Sequence, residues 1–309
     1  MNLGKSVRLF LADGSPGGLI TAEIMNWTGH VIAAPRSDLA TLLRRPEVAR
    51  TGIYLLLGDD PESPGSTVAY VGEGDDVGKR LTAHARGEST GGKDFWNRAV
   101  VLTSKDMNLT KAHARYLESR MIALAVEAAR VRLTNSTAPP TIQLPEADYS
   151  DMEFFIEQAK IVLPVLGVNL LRSTRVSPPA PTSGGGSLVT PSPTFTITSR
   201  AGADATAQEV DGEFTVREGS RARSEWVGGD HSYAELWRRT ESSGALPLVP
   251  DGSTRVFSRD VVFTSPSAAA AVVLGRTANG RTEWKVQGQR TTYGQWQESL
   301  LEPATGTEL

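Results

Sequence analysis

A segment rich in proline and glycine divides this sequence into two parts. Residues 173–193 contain five prolines and three consecutive glycines, with few apolar side chains. Such a composition cannot supply a packed core and is typical of a linker. The chain has 309 residues, and a typical domain has roughly 150. We therefore predict two domains joined by a linker at 171–193.

Composition and charge exclude several classes of protein. The chain has no cysteine, which excludes disulfide scaffolds, thiolate zinc sites, cysteine nucleophiles and iron–sulfur clusters. The net charge of −3 and the pI of about 5.9 argue against a strongly basic nucleic-acid binder, but they are compatible with a local basic groove. The first residues lack the apolar region of a signal peptide, and no segment approaches the length of a membrane span. We expect a cytoplasmic protein with no membrane contact.

The strongest periodic pattern covers residues 50–140. Apolar runs there predict strands, and apolar residues spaced by three to four positions predict helices. The expected order is strand 52–57, strand 67–71, helix 77–85, strand 98–103 and helix 111–130, the last capped by Thr110. This order describes a compact α/β unit of about 90 residues.

Weaker patterns flank that unit on both sides. Residues 5–34 predict further strands, and Ser37 is expected to cap a short helix at 38–44. A helix is expected after Ser150, ending near residue 166. The expected fold class is α+β, with residues 1–49 as a β-rich extension of the first domain and 50–170 as its main part.

Residues 194–309 predict a smaller α+β domain. The expected elements are strands within 194–227, a helix from Asp230 to residue 239, a strand at 256–263, an alanine-rich helix opened by Ser265 and Pro266, a strand at 284–286 and a helix at 293–300. Trp284 and Trp296 are expected in its core rather than as base-stacking platforms.

Polar residues recur at fixed points of the first pattern. Tyr54 and Tyr70 lie on neighbouring predicted strands, and Arg80 and His84 share a helix face at i and i+4. Glu118 borders the apolar stripe of its helix, where an unpaired carboxylate is costly to bury. The structural alternatives are ordinary packing for the tyrosines, a solvated face for Arg80 and His84, and an ion pair of Glu118 with Lys111, Arg115 or Arg120.

These residues together resemble the GIY-YIG nuclease family. The two tripeptides are Gly-Ile-Tyr at 52–54 and Tyr-Val-Gly at 70–72, the second with valine in place of isoleucine. Arg80 and His84 match the helical pair of the family, Glu118 its helical glutamate, and Asn135 the asparagine after that helix. The resemblance covers residues 50–137. It implies a small α/β sandwich with a central, mainly antiparallel sheet flanked by helices.

The resemblance also implies an activity, namely hydrolysis of phosphodiester bonds in DNA by a metal-dependent endonuclease. It implies one Mg²⁺ or Mn²⁺ ion on Glu118, which suits a cation that keeps most of its water. A tyrosine would take a proton from the attacking water, with Tyr54 and Tyr70 both open for this role. Arg80 would stabilise the phosphate and His84 would bind a tyrosine, while Asn135 would orient Glu118 or adjacent backbone. We expect these side chains to line one cleft, with both phenol oxygens exposed in it.

The sequence departs from the family pattern just after the second tripeptide. Many members carry Lys or Ser there, and this chain has Glu73, followed by Asp75 and Asp76. Carboxylates beside a phosphate-binding surface repel the nucleic-acid backbone. Either they turn away, or a further cation lies among them, or the substrate is unusual. The alternative function is a weak or inactive fold that binds nucleic acid or a protein.

The second domain resembles a small uncharacterised domain often found at the C-terminus of bacterial nucleases and restriction-system proteins. Residues 264–270, Gly275, Asn279, Trp284 and Trp296 carry this resemblance, which is clear over 255–301 and extends back towards 195. It implies an accessory role. Targeting of the substrate and binding of a protein partner are equally compatible with it.

Overall fold

The computed structural model describes residues 4–60, 67–86, 92–135, 139–140, 142–172, 192–210, 212–229 and 232–301. These residues form two compact units, 4–172 and 192–301, each built of helices and a sheet. The general α+β class is therefore confirmed. The predicted linker lies almost wholly outside the described residues, and the predicted domain limits stay a prediction. In the part of the chain that is described, no helix is long and apolar enough to span a membrane.

A seven-stranded sheet forms the centre of the first unit. Its strands are β1 (Val7–Leu11), β2 (Ile20–Ile24), β3 (Gly29–Pro35), β4 (Gly52–Asp59), β5 (Thr67–Gly74), β6 (Arg98–Ser104) and β7 (Arg132–Leu133). Their order in the sheet is β1-β2-β3-β6-β4-β5-β7. Only the short β5–β7 pair is parallel among these contacts. β4 is thus an internal strand, while most of β5 lies near the edge.

Helices cover both faces of this sheet. They are α1 (Leu39–Leu43), α2 (Val77–His84), α3 (Lys111–Ala128) and α4 (Glu146–Val165). One core joins Ile53, Leu55 and Leu57 of β4 to α3 and α4. A second core joins Tyr54 and Leu56, on the opposite face, to α1 and α2. The alternation of side chains along β4 therefore decides which helix each residue meets.

Local capping explains where these helices begin. Thr110 caps α3 as expected, since its hydroxyl accepts a hydrogen bond from the His113 amide at 3.3 Å. The prediction for Ser37 is wrong, because a 3₁₀ turn at Arg36–Asp38 precedes α1 and no side chain caps either element. The predicted start of α4 is also wrong. The helix begins after Pro145, whose fixed backbone angle suits a helix start, with Glu146 and Asp148 in the first turn.

The second unit has its own sheet and core. Its strands are β8 (Phe195–Thr198), β9 (Asp204–Val210), β10 (Glu213–Val216), β11 (Arg221–Arg223), β12 (Thr254–Val256), β13 (Val261–Phe263) and β14 (Lys285–Val286). Its helices are α5 (Ser232–Ser242), α6 (Pro266–Leu274), α7 (Gly280–Glu283) and α8 (Tyr293–Ser299). The strand predicted at 256–263 is in fact two strands, and Asp230, the predicted cap of α5, lies outside the described residues.

The core of the second unit confirms the two tryptophan predictions. Trp284 is fully buried, and its indole donates a hydrogen bond to the Pro266 carbonyl at 3.0 Å. Trp296 packs edge-on against Phe195, with 5.2 Å between the ring centroids. The predicted start of α6 is confirmed as well, because the Ser265 hydroxyl accepts from the Ala268 amide at 3.1 Å. Both indoles are therefore part of the packing.

Candidate active site

The pairing of β4 with β5 places the two tyrosines side by side. Tyr54 lies opposite Gly72 in the antiparallel register, and the Tyr54 and Tyr70 rings are 6.1 Å apart between centroids. A Cβ atom at position 72 would lie 2.4 Å from both Cζ and the hydroxyl oxygen of Tyr54. The glycine of the second tripeptide is thus required because the Tyr54 phenol occupies the space of its side chain.

α2 brings His84 against both tyrosines. Asp76 begins this helix by accepting a hydrogen bond from the Lys79 amide at 3.0 Å. Two turns later, His84 Nε2 lies 2.8 Å from the Tyr54 hydroxyl, and the imidazole packs edge-on against Tyr70 at 5.3 Å. Burial, together with the positive charges of nearby Lys93 and Arg80, lowers the pKa of His84 to about 4. The imidazole is therefore neutral at pH 7.

The two phenols differ in their access to water. Tyr54 is 0% exposed, so the expectation that both phenol oxygens are exposed is wrong for this residue. The reason is that β4 is internal and α2 covers that face. Burial also raises the pKa of Tyr54, with a smaller contribution from Tyr70. Tyr70 is only half-buried, and the Lys93 ammonium lies 4.2 Å from its ring centroid, at cation–π distance.

Arg80 connects this aromatic group to the carboxylates of the first unit. Its stem lies against Gly74, where an added Cβ would be 2.8 Å from Arg80 Cγ. The Tyr54 oxygen, by charge and by hydrogen bonding, is the main cause that raises the pKa of Arg80. Tyr70 and Glu73 raise this pKa further. The guanidinium therefore stays charged, and phenol and carboxylate groups both stabilise its charge.

Glu118 lies on α3, which packs on the face of the sheet opposite Tyr54. The carboxylate is half-buried, and burial is the main cause that raises the pKa of Glu118. Glu73 raises this pKa as well, whereas the charge of Arg80 lowers it. Arg80 thus interacts electrostatically with the two tyrosines and with Glu118. That the predicted site residues line a single cleft stays a prediction.

Two of the three expected ion-pair partners of Glu118 bind other carboxylates. Lys111 Nζ lies 2.6 Å from Glu73, and Arg120 Nε lies 2.9 Å from Glu153. Within the described ranges, Glu118 makes no ion pair and no side-chain hydrogen bond. A half-buried carboxylate in this state suits a cation as its partner.

The acidic residues after the second tripeptide are paired with lysines of the chain itself. Lys111 Nζ contacts Glu73 at 2.6 Å and Asp75 at 3.5 Å. Asp76 caps α2 and pairs with Lys79 at 3.2 Å. Of the three alternatives considered for these carboxylates, the contacts agree with a further cation among them, namely the ammonium of Lys111 on α3. Sequence reasoning considered Lys111 only as a partner of Glu118 on the same helix. Its contact with Glu73 joins a helix to a strand that is distant in the sequence, and such a contact leaves no periodic pattern in the residues around it.

Asn135 binds backbone rather than the carboxylate. Its amide donates to the Val71 carbonyl at 2.7 Å and accepts from the Val71 amide at 3.0 Å. β7 pairs only with Val68 and Ala69 of β5, so it leaves Val71 without a strand partner on this edge. The Asn135 side chain supplies the hydrogen bonds for the backbone N–H and C=O of Val71 instead. Of the two roles predicted for Asn135, this is the one that orients adjacent backbone.

The residues around Glu118 fit a cation that keeps most of its water. Among the described residues, no three His, Cys, Asp or Glu side chains cluster as a full ligand set. A single half-buried carboxylate, with a second acid nearby at Glu73, suits Mg²⁺ or Mn²⁺ better than it suits zinc. Lys93 is the residue that sequence reasoning missed in this site, because a loop lysine has no periodic signature.

Comparison with known proteins identifies only the second unit. Residues 195–297 match the family model described as Domain of unknown function (DUF4357), which covers about a third of the chain. No curated protein and no solved structure matches the chain. No match to the GIY-YIG family was found either, so that resemblance rests on the residues described above. The chain is thus similar to this family of unknown function in its C-terminal unit.

Proposed function

We propose that the first unit is a GIY-YIG-type endonuclease that hydrolyses phosphodiester bonds in DNA with the help of a divalent metal ion. The observation that carries this proposal is the position of Arg80. Its stem packs against Gly74 at the end of β5, and its charge interacts with Tyr54 and Tyr70 as well as with Glu118. Packing alone does not require these groups to meet, whereas phosphate chemistry requires a cation, a base and a metal ligand together.

Each side chain has a role that follows from its surroundings. Arg80 binds phosphate oxygens, since its planar donors suit an anion whose charge increases during hydrolysis. Tyr70 is the proton acceptor for water, because it is the half-exposed phenol of the two and its ring lies beside the Lys93 ammonium. Tyr54 and His84 are positioning residues, since their hydrogen bond is buried and the imidazole is neutral.

Glu118 would hold the metal ion, with water and phosphate oxygens as the remaining ligands. Mg²⁺ or Mn²⁺ bound there would act as a Lewis acid on the phosphate. Glu73 contributes negative charge near this position but is bound to Lys111. Lys111 therefore limits the repulsion that the acidic residues exert on a DNA backbone.

A binding module without catalysis is the second candidate. The observation that favours it is the complete burial of Tyr54, which keeps one of the two motif hydroxyls away from water. In this case the first unit binds nucleic acid or a protein partner and cleaves nothing. For the second unit we propose an accessory role, with substrate targeting and partner binding equally compatible with its family match.

The decisive experiment incubates the full chain with plasmid, single-stranded and branched DNA, in Mg²⁺ or Mn²⁺ and in EDTA. We expect cleavage that requires the metal, and its loss in Glu118→Gln. Glu127→Gln is the matched control, because Glu127 is an exposed carboxylate on the same helix. DNA binding without cleavage in all buffers would support the binding module. Equal cleavage by Glu118→Gln and the wild-type chain would remove Glu118 from the site.

A further inference from the structure

A groove crosses one end of the sheet in the first unit. Its volume is about 560 Å³, within the range of small-molecule sites. The walls are the turn between β1 and β2, the end of α4, and one side chain from each of four neighbouring strands, namely Leu9, Ile20, Pro35 and Arg98. None of the residues that line it belongs to the proposed nuclease site.

The groove exists because α4 ends before it has covered this end of the sheet. The helix stops at Val165, and Gly167 then turns the chain away with a φ of +77°, the left-handed conformation that commonly ends a helix. Ile20 is therefore only partly buried, and Leu9 and Val165 leave 44% and 51% of their surfaces exposed. The apolar walls are thus in contact with water, and a ligand that covers them gains free energy.

Arg98 places a half-buried positive charge in this groove. Its Nη1 donates to the Leu166 carbonyl at the end of α4, at 2.8 Å. In the described part of the chain its other N–H groups make no hydrogen bond and the guanidinium makes no ion pair. Burial lowers the pKa of Arg98, and no carboxylate acts in the opposite direction. A half-buried cation without a carboxylate is uncommon in folded proteins, so the groove suits an anion.

The remaining walls restrict the kind of anion. Among the described residues that line the groove, Arg98 and Asn97 alone carry polar side chains. A phosphate group carries more charge than one guanidinium balances, and a peptide needs partners for its backbone that these side chains do not supply. A carboxylate has a single charge and two oxygens that match the guanidinium. Leu9 lies three strand spacings from Arg98, about 14 Å at about 4.8 Å each, so the apolar part is a long chain.

We propose that this groove binds an aliphatic monocarboxylate with an extended hydrocarbon chain. The carboxylate accepts hydrogen bonds from the free N–H groups of Arg98. The chain lies across Pro35 and Ile20 towards Leu9, with Val165 on its other side. This proposal does not depend on the proposed nuclease function, because the two sites share no residue.

Decanoate, whose extended chain is of this length, is the probe, titrated below its micelle-forming concentration into the full chain by calorimetry. Arg98→Gln is expected to weaken binding about tenfold or more. Because Arg98 also binds the end of α4, a second variant leaves it in place. Val165→Asp puts a carboxylate on the exposed side of the groove and should abolish binding. Val126→Asp, at an exposed position on α3 outside the groove, is the matched control and should bind decanoate like the wild-type chain.

Further ligands test the chemistry of the two ends. Decanol has the chain without the charge and acetate has the charge without the chain, so both should bind more weakly than decanoate. No heat of binding at millimolar decanoate, or an equal loss of binding in Val165→Asp and Val126→Asp, would overturn the proposal. Unchanged binding by Arg98→Gln would remove the carboxylate from that residue. Tighter binding of a short apolar peptide, or displacement of decanoate by an oligonucleotide, would overturn the assignment of an aliphatic ligand.

Discussion

The Tyr54 hydroxyl lies 2.8 Å from Nε2 of His84, and neither side chain is open to water. The hydrogen bond therefore joins a buried phenol to an imidazole whose pKa is lowered to about 4. At neutral pH, a buried and uncharged pair of this kind fixes the positions of both rings. Tyr70 is the more exposed of the two phenols, and in the proposed mechanism it is the proton acceptor.

This division of roles predicts different effects for the two tyrosines. We expect Tyr70→Phe to lower the rate constant of DNA cleavage by about 100-fold or more and to leave stability nearly unchanged. Tyr54→Phe should lower the free energy of unfolding by about 1 kcal/mol, because it removes a buried hydrogen bond. Single-turnover cleavage and chemical denaturation measure the two effects. The opposite pattern would make Tyr54 the proton acceptor.

Lys111 should affect how tightly the first unit binds DNA and Mn²⁺. Lys111→Met leaves Glu73 and Asp75 without the ammonium that contacts both. We expect DNA affinity to fall by about three- to tenfold at low salt and Mn²⁺ affinity to rise, since the local potential becomes more negative. Titration calorimetry with Mn²⁺ and fluorescence anisotropy with DNA measure these changes. The control is Lys79→Met, which removes an exposed lysine bound to Asp76. An equal effect of both variants would show that only net charge matters.

His84 should make stability depend on pH in the acid range. Its pKa is about 4 in the folded chain against an ordinary value of 6.5, so the unfolded chain binds the proton first. The contribution of His84 is complete above pH 6.5 and is lost as the pH falls from 6.5 to about 4. We expect His84→Gln to flatten the curve of unfolding free energy against pH in this window. Parallel curves for the variant and the wild-type chain would contradict the buried, neutral imidazole.

Gly72 should tolerate no side chain. In Gly72→Ala the new Cβ would lie 2.4 Å from Cζ of Tyr54, so the ring or β5 must move. We expect a loss of about 1–3 kcal/mol in the free energy of unfolding, as for other overpacked cores. Gly4→Ala is the control, since no atom lies within 4 Å of its added Cβ, and thermal denaturation compares the two. A Gly72→Ala variant as stable as the control would mean that Tyr54 packs elsewhere.

Elements with strong local patterns were predictable from the sequence. The β4–β5 pair, the cap of α3 at Thr110 and the start of α6 at Ser265 all follow from periodicity and capping chemistry. The failures also have local causes. α4 begins a turn earlier than expected because Pro145 and the acids after it favour a helix start as well as Ser150 does. The strand predicted at 256–263 is interrupted, and an apolar run alone does not reveal such a break.

The sequence by itself determined which polar residues stand on which elements, because strand alternation and helix periodicity are properties of neighbouring residues. Only the tertiary structure decided what those residues meet. Tyr54 is buried because β4 is internal and α2 covers it, and Lys111 reaches Glu73 because α3 crosses the other face of the same sheet. Asn135 binds Val71 because β7 ends early. Burial, charge pairing and pKa depend on contacts between distant segments, and these exist only once the strands have taken their order in the sheet.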